Sequence, residues 1–148
     1  MVQKIFFYKV NDLYGVFSNF YKCGFFVDSV YWPTVEHFFQ AQKFHDVNLK
    51  NKIRNFLSPM DAAKEGRDRS NPLRSDWELV KDSIMRNAVL EKFKQNEDAR
   101  LILLSTGQAQ LFEHTKNDRY WADGGDGSGK NMLGVILMEV RDILKGID

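Results

Sequence analysis

Hydrophobic and polar positions along this chain follow two different periods, and the switch between them marks its elements. Residues 4–10 are aromatic and β-branched, and residues 20–32 contain Phe20, Tyr21, Phe25, Phe26, Val27, Val30, Tyr31 and Trp32. Both stretches read as strands. Asp28-Ser29, set between apolar runs, predicts a hairpin turn, and Pro33-Thr34 ends the second stretch with Thr34 as an N-cap. Beyond it the apolar spacing becomes helical. It predicts helices over 35–45 and 47–57, a short one from Met60 to Gly66, and another over 97–105. The longest, 76–96, places Trp77, Val80, Ile84, Met85, Ala88, Val89 and Phe93 at helical spacing. Residues 67–75 are polar and loop-like, 110–115 read as a strand, and 123–130 form a glycine-rich loop. A last helix over 131–145 carries Leu133, Ile136, Leu137, Val140 and Leu144 on one face. No repeat or linker interrupts the order. Residues 1–148 therefore read as one α+β domain, helix-rich, with a small N-terminal β-sheet.

Composition narrows the function classes. A chain of 148 residues can bury a core without staples, and 43% hydrophobic with 28% charged residues is ordinary for a globular protein. A net charge of +1 supplies no global field to draw long nucleic acid or a membrane surface. Twelve Phe, five Tyr and three Trp are less ordinary, and beyond the core they offer flat walls for sugars or bases. The single cysteine, Cys23, excludes an internal disulfide, reads as packing in a strand and fits a cytoplasmic setting. No apolar run approaches the roughly 18 residues of a membrane span. The opening Met1–Tyr8 segment is too briefly apolar for a signal peptide and reads as the first strand. His37, His45 and His114 lack ligand spacing, so no metal or other cofactor is expected.

Candidate chemistry concentrates in Val35-Glu36-His37-Phe38-Phe39-Gln40-Ala41-Gln42-Lys43-Phe44. At about 100° per residue, Glu36, Gln40 and Lys43 fall within roughly 60° of one another, flanked by phenylalanines. One reading is a solvated polar face, since Glu36 and Lys43 are too far apart for an i,i+4 ion pair. The other is a stripe facing a cleft, where partial burial lowers the lysine pKa and raises that of the glutamate. The amine then becomes a nucleophile for a sugar C1, and the carboxyl group can give and recover a proton. His37 points about a third of a turn away and reads as structural.

Gly124, Gly129 and Lys130 satisfy the start of a phosphate-loop pattern, but Asn131 stands where Ser or Thr must hold magnesium. No apolar strand precedes the loop, which argues against an NTPase. A glycine loop entering a helix N-terminus remains either a seat for phosphate or sugar hydroxyls or a surface turn. Asp118 and Asp123, beside Tyr120 and Trp121, either orient water or ribose or cap turns. Arg67, Arg69 and Arg74, with Trp77 nearby, form either a diphosphate clamp or a solvated basic loop.

An ordered set of motifs resembles a known family. Gly15-Val16-Phe17-Ser18-Asn19-Phe20 leads, followed by the Thr34–Phe44 segment, Arg74-Ser75-Asp76-Trp77, Met85, Lys92-Phe93 and Thr106-Gly107. Asp118 with Trp121 and Gly129-Lys130-Asn131-Met132-Leu133-Gly134 through Leu137-Met138 to Arg141 complete it. Together they resemble the YbiA-like N-glycosidase family, also called NADAR, from about residue 14 to 142. The resemblance implies a compact α+β fold and hydrolysis of N-glycosidic bonds. The implied substrates are ribosylaminopyrimidine phosphates of riboflavin synthesis or ADP-ribose attached to guanine in nucleic acid. It implies Glu36 as general acid/base and Lys43 as an amine forming an imine with ribose. It further implies Ser18, Asn19, Trp77, Asp118, Trp121 and Asn131 as pocket residues. The working site set is thus Glu36, Lys43 and Asp118 for catalysis. Ser18, Asn19, Gln40, Arg74, Trp77, Trp121, Gly129 and Asn131 are assigned to substrate binding. Ala122 departs from the family, which usually has Gly after this Trp. A two-carboxylate hydrolysis using Glu36 with Asp118 or Asp123 is the competing mechanism. A non-catalytic ADP-ribose or NAD-binding module is the competing function. A monomer that binds no membrane is expected.

Overall fold

The computed structural model describes residues 2–147. Six helices and four short strands are present among them: β1 (Lys4–Phe7), β2 (Phe25–Val27), β3 (Val30–Trp32), α1 (Val35–Ala41), α2 (Val47–Arg54), α3 (Pro59–Arg67), α4 (Trp77–Gln95), α5 (Glu97–Ser105), β4 (Gln110–Glu113) and α6 (Met132–Lys145). A 3₁₀ turn spans Gly15–Phe17. The helix-rich α+β expectation holds. The sheet is divided differently from the sequence reading, into two separate pairs.

β2 and β3 form the predicted hairpin, turning at Asp28 and Ser29, both with positive φ. Residues 20–24 lie outside the strand, so Cys23 sits half-buried in a loop rather than inside a ladder. β1 instead pairs in parallel with β4, in the register Ile5↔Leu111 and Phe7↔Glu113. Period-2 alternation turns Ile5, Phe7 and Leu111 into the core. Because the two strands run the same way, their C-terminal ends open at one edge of the molecule. α6 covers β4, and Asn131 ties the two together. Its Nδ2 donates to Leu111 O at 2.8 Å and its Oδ1 accepts Glu113 N–H at 3.0 Å.

α1 is the element around which the others pack: α2, α3, α4 and β3 all touch it, and all seven of its residues are buried. Thr34 caps it, accepting His37 N–H at 3.1 Å. The His37 ring is fixed between Thr34 Oγ1 at 2.7 Å and Phe56 O at 2.8 Å, tying α1 to the end of α2. Donation to a carbonyl by Nε2 leaves Nδ1 to accept from Thr34, so the histidine is structural and neutral. The helix stops at Ala41, and Lys43 stands in the turn that follows, where its N–H bonds Gln40 O at 3.3 Å. Shortening from the expected 35–45 follows from those tighter bonds and from Arg74 N–H, which takes Lys43 O at 2.9 Å and draws the chain away. Much of the aromatic content is core: Phe7, Phe17 and Phe93 meet edge to face, as do Phe25, Phe38 and Trp32.

The α6–β4 contact is close because Gly134 has no side chain. A Cβ there runs into the Leu111 carbonyl oxygen. Gly134→Ala therefore lowers stability by about 1–3 kcal/mol through overpacking, although Ala favours a helix over Gly by about 1 kcal/mol. Urea unfolding of the two proteins measures the difference.

Candidate functional site

Where α1, the 18–20 corner and the ends of β1 and β4 meet, they leave a cleft of about 1080 Å³. Ser18, Asn19, Glu36, Gln40, Lys43, Asp118 and Trp121 of the sequence-derived set line it. The polar stripe of α1 is therefore no solvated face. Glu36 is 7% exposed, Gln40 3% and Lys43 8%.

Each group has a defined hold. Gln40 Nε2 donates to Glu36 Oε2 at 2.8 Å, so the amide orients the carboxyl group. Gly66 of α3 presses against Gln40, where a Cβ has no room beside Oε1. The Ser18–Asn19 corner is anchored through its carbonyls. Buried Lys92 donates Nζ to Ser18 O at 3.1 Å, and Glu36 N–H bonds Asn19 O at 3.1 Å. The amide oxygen of Asn19 is buried without a protein partner. Phe39, Trp77 and Trp121 form an aromatic wall, with centroids 5.0 and 5.3 Å from Phe39. Lys43 Nζ stands 5.9 Å from both the Phe39 and Trp77 ring centroids.

Burial pushes the Lys43 amine down to about 8, and the positive Arg69 and Arg67 push the same way against the pull of Glu36. Burial raises the Glu36 carboxyl above its usual range, opposed by the Gln40 hydrogen bond and the charges of Arg67 and Lys43. Among the described residues, Glu36 and Lys43 form no direct ion pair. Both groups line the same cleft.

Other expected residues stand elsewhere. Trp77 backs the wall behind Lys43 and does not line the cleft itself. Arg74 points into a separate hollow of about 480 Å³ and is bound to Asp76 at 2.6 and 3.0 Å and to Gln42 O at 3.3 Å. It holds the turn that carries Lys43 rather than a diphosphate. Gly129 and Asn131 brace the loop: Gly129 N–H bonds Asp123 O at 2.8 Å, and Asn131 N–H bonds Ala122 O at 3.0 Å. Lys130, Met132 and Leu133 likewise donate to Arg119, Tyr120 and Trp121 carbonyls. Those amides are occupied, so the glycine loop is a brace and presents no anion seat to the cleft. Ala122 is fully buried within that brace, away from the cleft lining. Asp123 accepts His114 Nδ1–H at 2.7 Å along with the Thr115 and Gly125 amides, and it too is a brace. Asp118 does both jobs, since its Oδ1 caps Tyr120 N–H and Trp121 N–H at 2.8 Å while it lines the cleft.

Sequence reasoning missed Glu113, Tyr8 and Lys9, all on the cleft wall. For Glu113 a signal existed: it shares the inward face of its strand with Leu111, an unusual place for an acid. Burial, then the negative Asp118, Glu36 and Asp123, push its carboxyl up to about 8. Arg67, which with Arg69 and Arg74 reads as either a diphosphate clamp or a solvated basic loop, closes α3 and faces the cleft. Among the described residues no cluster of His, Cys, Asp and Glu is arranged to hold a metal ion. Among the described residues no helix is long and apolar enough to cross a membrane.

Comparison with known proteins places these features. The NADAR domain family matches residues 6–145. N-glycosidase YbiA of Escherichia coli (strain K12) is 54% identical over 93% of this chain and 86% of its own. N-glycosidase Npun_R5314 of Nostoc punctiforme is 44% identical over 97% and 94%. The riboflavin biosynthesis protein VVA0006 of Vibrio vulnificus is 42% identical over 98% of this chain, which spans 40% of that longer protein. The NMR structure of Escherichia coli YbiA matches with a TM-score of 0.90 at 53% identity, covering 98% of this chain and 87% of that one.

The raised Glu113 carboxyl ties stability to pH. Unfolded, it loses its proton near 4.5; folded, it keeps it up to about 8. Its stabilising contribution is complete below the lower value and is lost as pH rises through the upper one. Glu113→Gln removes this contribution and flattens the decline in stability between pH 4.5 and 8 by about 2–4 kcal/mol. Denaturant titrations at pH 5 and pH 8 read the change.

Proposed function

The chain belongs to the NADAR domain family, and from that membership and the chemistry of its cleft we propose that it hydrolyses the N-glycosidic bond of a ribosylated nucleotide-like substrate through Glu36 and Lys43. The carrying observation is the pair itself: a carboxyl group and an amine, both nearly fully buried, on the wall of one cleft with no ion pair between them.

An amine near 8 is roughly 300-fold richer in its free form at neutral pH than one at 10.5. Free amine attacks the anomeric carbon, the bond to the base nitrogen breaks, and the ring opens to a lysine–ribose imine that water hydrolyses. Glu36, held by Gln40 beside this amine, serves as the general acid and base. Asp118, with one oxygen committed to its turn, orients a sugar hydroxyl or the water. Ser18 and Asn19 supply polar contacts, and Trp121 offers a face for the sugar or base. Arg67 and Lys9 replace the glycine loop and Arg74 as the groups facing an anionic part of the substrate. The relatives named for riboflavin biosynthesis support ribosylaminopyrimidine phosphates as the first substrates to test, with ADP-ribosyl guanine as the second. A cytoplasmic setting accords with either.

Two measurements test the reading. Borohydride added during turnover yields a sugar adduct that peptide mass spectrometry maps to Lys43; repeated failure to trap one favours the two-carboxylate route. Glu36→Gln lowers base release about 10²–10⁴-fold while leaving the melting temperature close to wild type. Tight retention of ADP-ribose with no turnover by either protein returns the binding-module reading instead.

A further inference from the structure

We propose that Glu113 is a second catalytic acid, the group that protonates the departing nitrogen, leaving Glu36 to manage the protons of Lys43. The inference rests on the N-glycosidase reading and assigns a role that its two-residue mechanism leaves unfilled. Attack by the amine and departure of the base occur on opposite sides of one carbon, so a single carboxyl group beside the amine is poorly placed to serve both.

Glu113 has the required position. Its backbone is fixed on both sides, with N–H to Asn131 Oδ1 at 3.0 Å and the carbonyl accepting Asp123 N–H at 2.8 Å. The next amide, His114 N–H, bonds Phe7 O at 2.9 Å. The parallel pairing of β1 and β4 thus delivers its side chain to the cleft from the strand ends, whereas Glu36 and Lys43 reach it from α1 and the turn that follows. Three acids share this cavity, and they differ in what they touch. Glu36 receives the Gln40 amide and feels Arg67 and Lys43. Asp118 receives two backbone amides. The carboxyl group of Glu113 has no hydrogen-bond donor among the described residues, and its charged surroundings are Asp118, Glu36 and Asp123. Tyr8 and Lys9 face the same cleft from the end of β1, His114 is engaged by Asp123, and α6 presents the uncharged Asn131. When like charges crowd one cavity, the proton settles on the member with fewest donors. Glu113 is that member.

The proton balance closes. The free amine of Lys43 forms a bond to C1 as the C1–N bond breaks. The electron pair goes to the departing nitrogen, which takes the Glu113 proton. The Glu36 carboxylate accepts a proton from the lysine nitrogen and returns it to the ring oxygen as the sugar opens to the imine. Water then adds to C1 and gives a proton to Glu113, which restores the acid. Transfer of the remaining hydroxyl proton to the lysine nitrogen by way of Glu36 frees the sugar aldehyde and the amine.

The experiment is a pH–rate profile for base release from a ribosylaminopyrimidine 5′-phosphate and an ADP-ribosyl guanine oligonucleotide. Wild type, Glu113→Gln and Glu113→Asp are compared, with melting temperatures taken for each. Wild type should give a bell, rising as Lys43 loses its proton and falling as Glu113 does. Glu113→Gln should lose the falling limb, with kcat reduced about 10²-fold at pH 7 and KM within about threefold. Glu113→Asp keeps an acid and should retain a falling limb at reduced kcat, a result that a merely structural role would not produce. If Glu113→Gln keeps wild-type kcat and both limbs, the proton-donor role is overturned while the N-glycosidase reading stands. Should Glu113→Gln fail to fold, loss of the falling limb in folded Glu113→Asp overturns the role equally. Absence of base release by wild type from either substrate overturns the parent reading and this one together.

Discussion

Burying a carboxyl group and an amine on the same helix-and-turn segment is the constraint to which the rest of the molecule answers. Taking either charge out of water costs several kcal/mol unless partners restore what is lost. Here the partners are deliberately incomplete. Gln40 satisfies one oxygen of Glu36, and the rings of Phe39 and Trp77 stand near Lys43, but neither charge receives a full counter-ion. The result is an acid that holds its proton more tightly than usual and an amine that gives its proton up more easily. That incompleteness is tolerable because α2, α3, α4 and β3 all pack around α1 and supply apolar burial elsewhere. It also means that the most strained part of the electrostatics sits in the best-supported part of the fold.

Around that segment, several polar side chains that resemble ligand contacts act as braces. Arg74 fixes the turn that carries Lys43, Lys92 holds the carbonyl of Ser18, and Asn131 locks Glu113 against the last helix. Asp123 ties His114 and two loop amides together across the 114–125 segment. Each interaction ties down backbone next to a cleft residue, so the precision of the site comes from a shell of ordinary hydrogen bonds. The glycine-rich loop belongs to the same shell. Its amides meet carbonyls of the 118–123 segment, and its lack of side chains lets Gly129 approach the Ala122 carbonyl closely.

The cleft's electrical layout then follows from topology. α1 contributes Glu36 at its first turn, α3 ends with Arg67, and two parallel strands end together, bringing Lys9 and Glu113 to one edge. Ligand sites at the carboxyl ends of parallel strands are common in larger sheets, where loops fan out from a fixed edge. A two-stranded version does the same here. Carboxyl groups and cations therefore line one cleft together.

Much of this was readable in the chain before folding was considered. Thr34 as cap, the Glu36–Gln40–Lys43 stripe, the Asp28-Ser29 turn and the apolar face of the last helix are all local signals, because they depend on residues within a few positions of each other. Their order along the chain carried the family resemblance as well. Three things were decided only by tertiary structure. β1 pairs with β4 across more than a hundred residues, and nothing within either strand names its partner. Burial of α1 on every side turned a stripe that suits solvent equally well into the wall of a cleft. The division between ligand contacts and braces among Arg74, Gly129, Asn131 and Glu113 depended on which donors were already occupied. Sequence fixes what a side chain is able to do; its neighbours, brought from far along the chain, decide which of those capacities remains free.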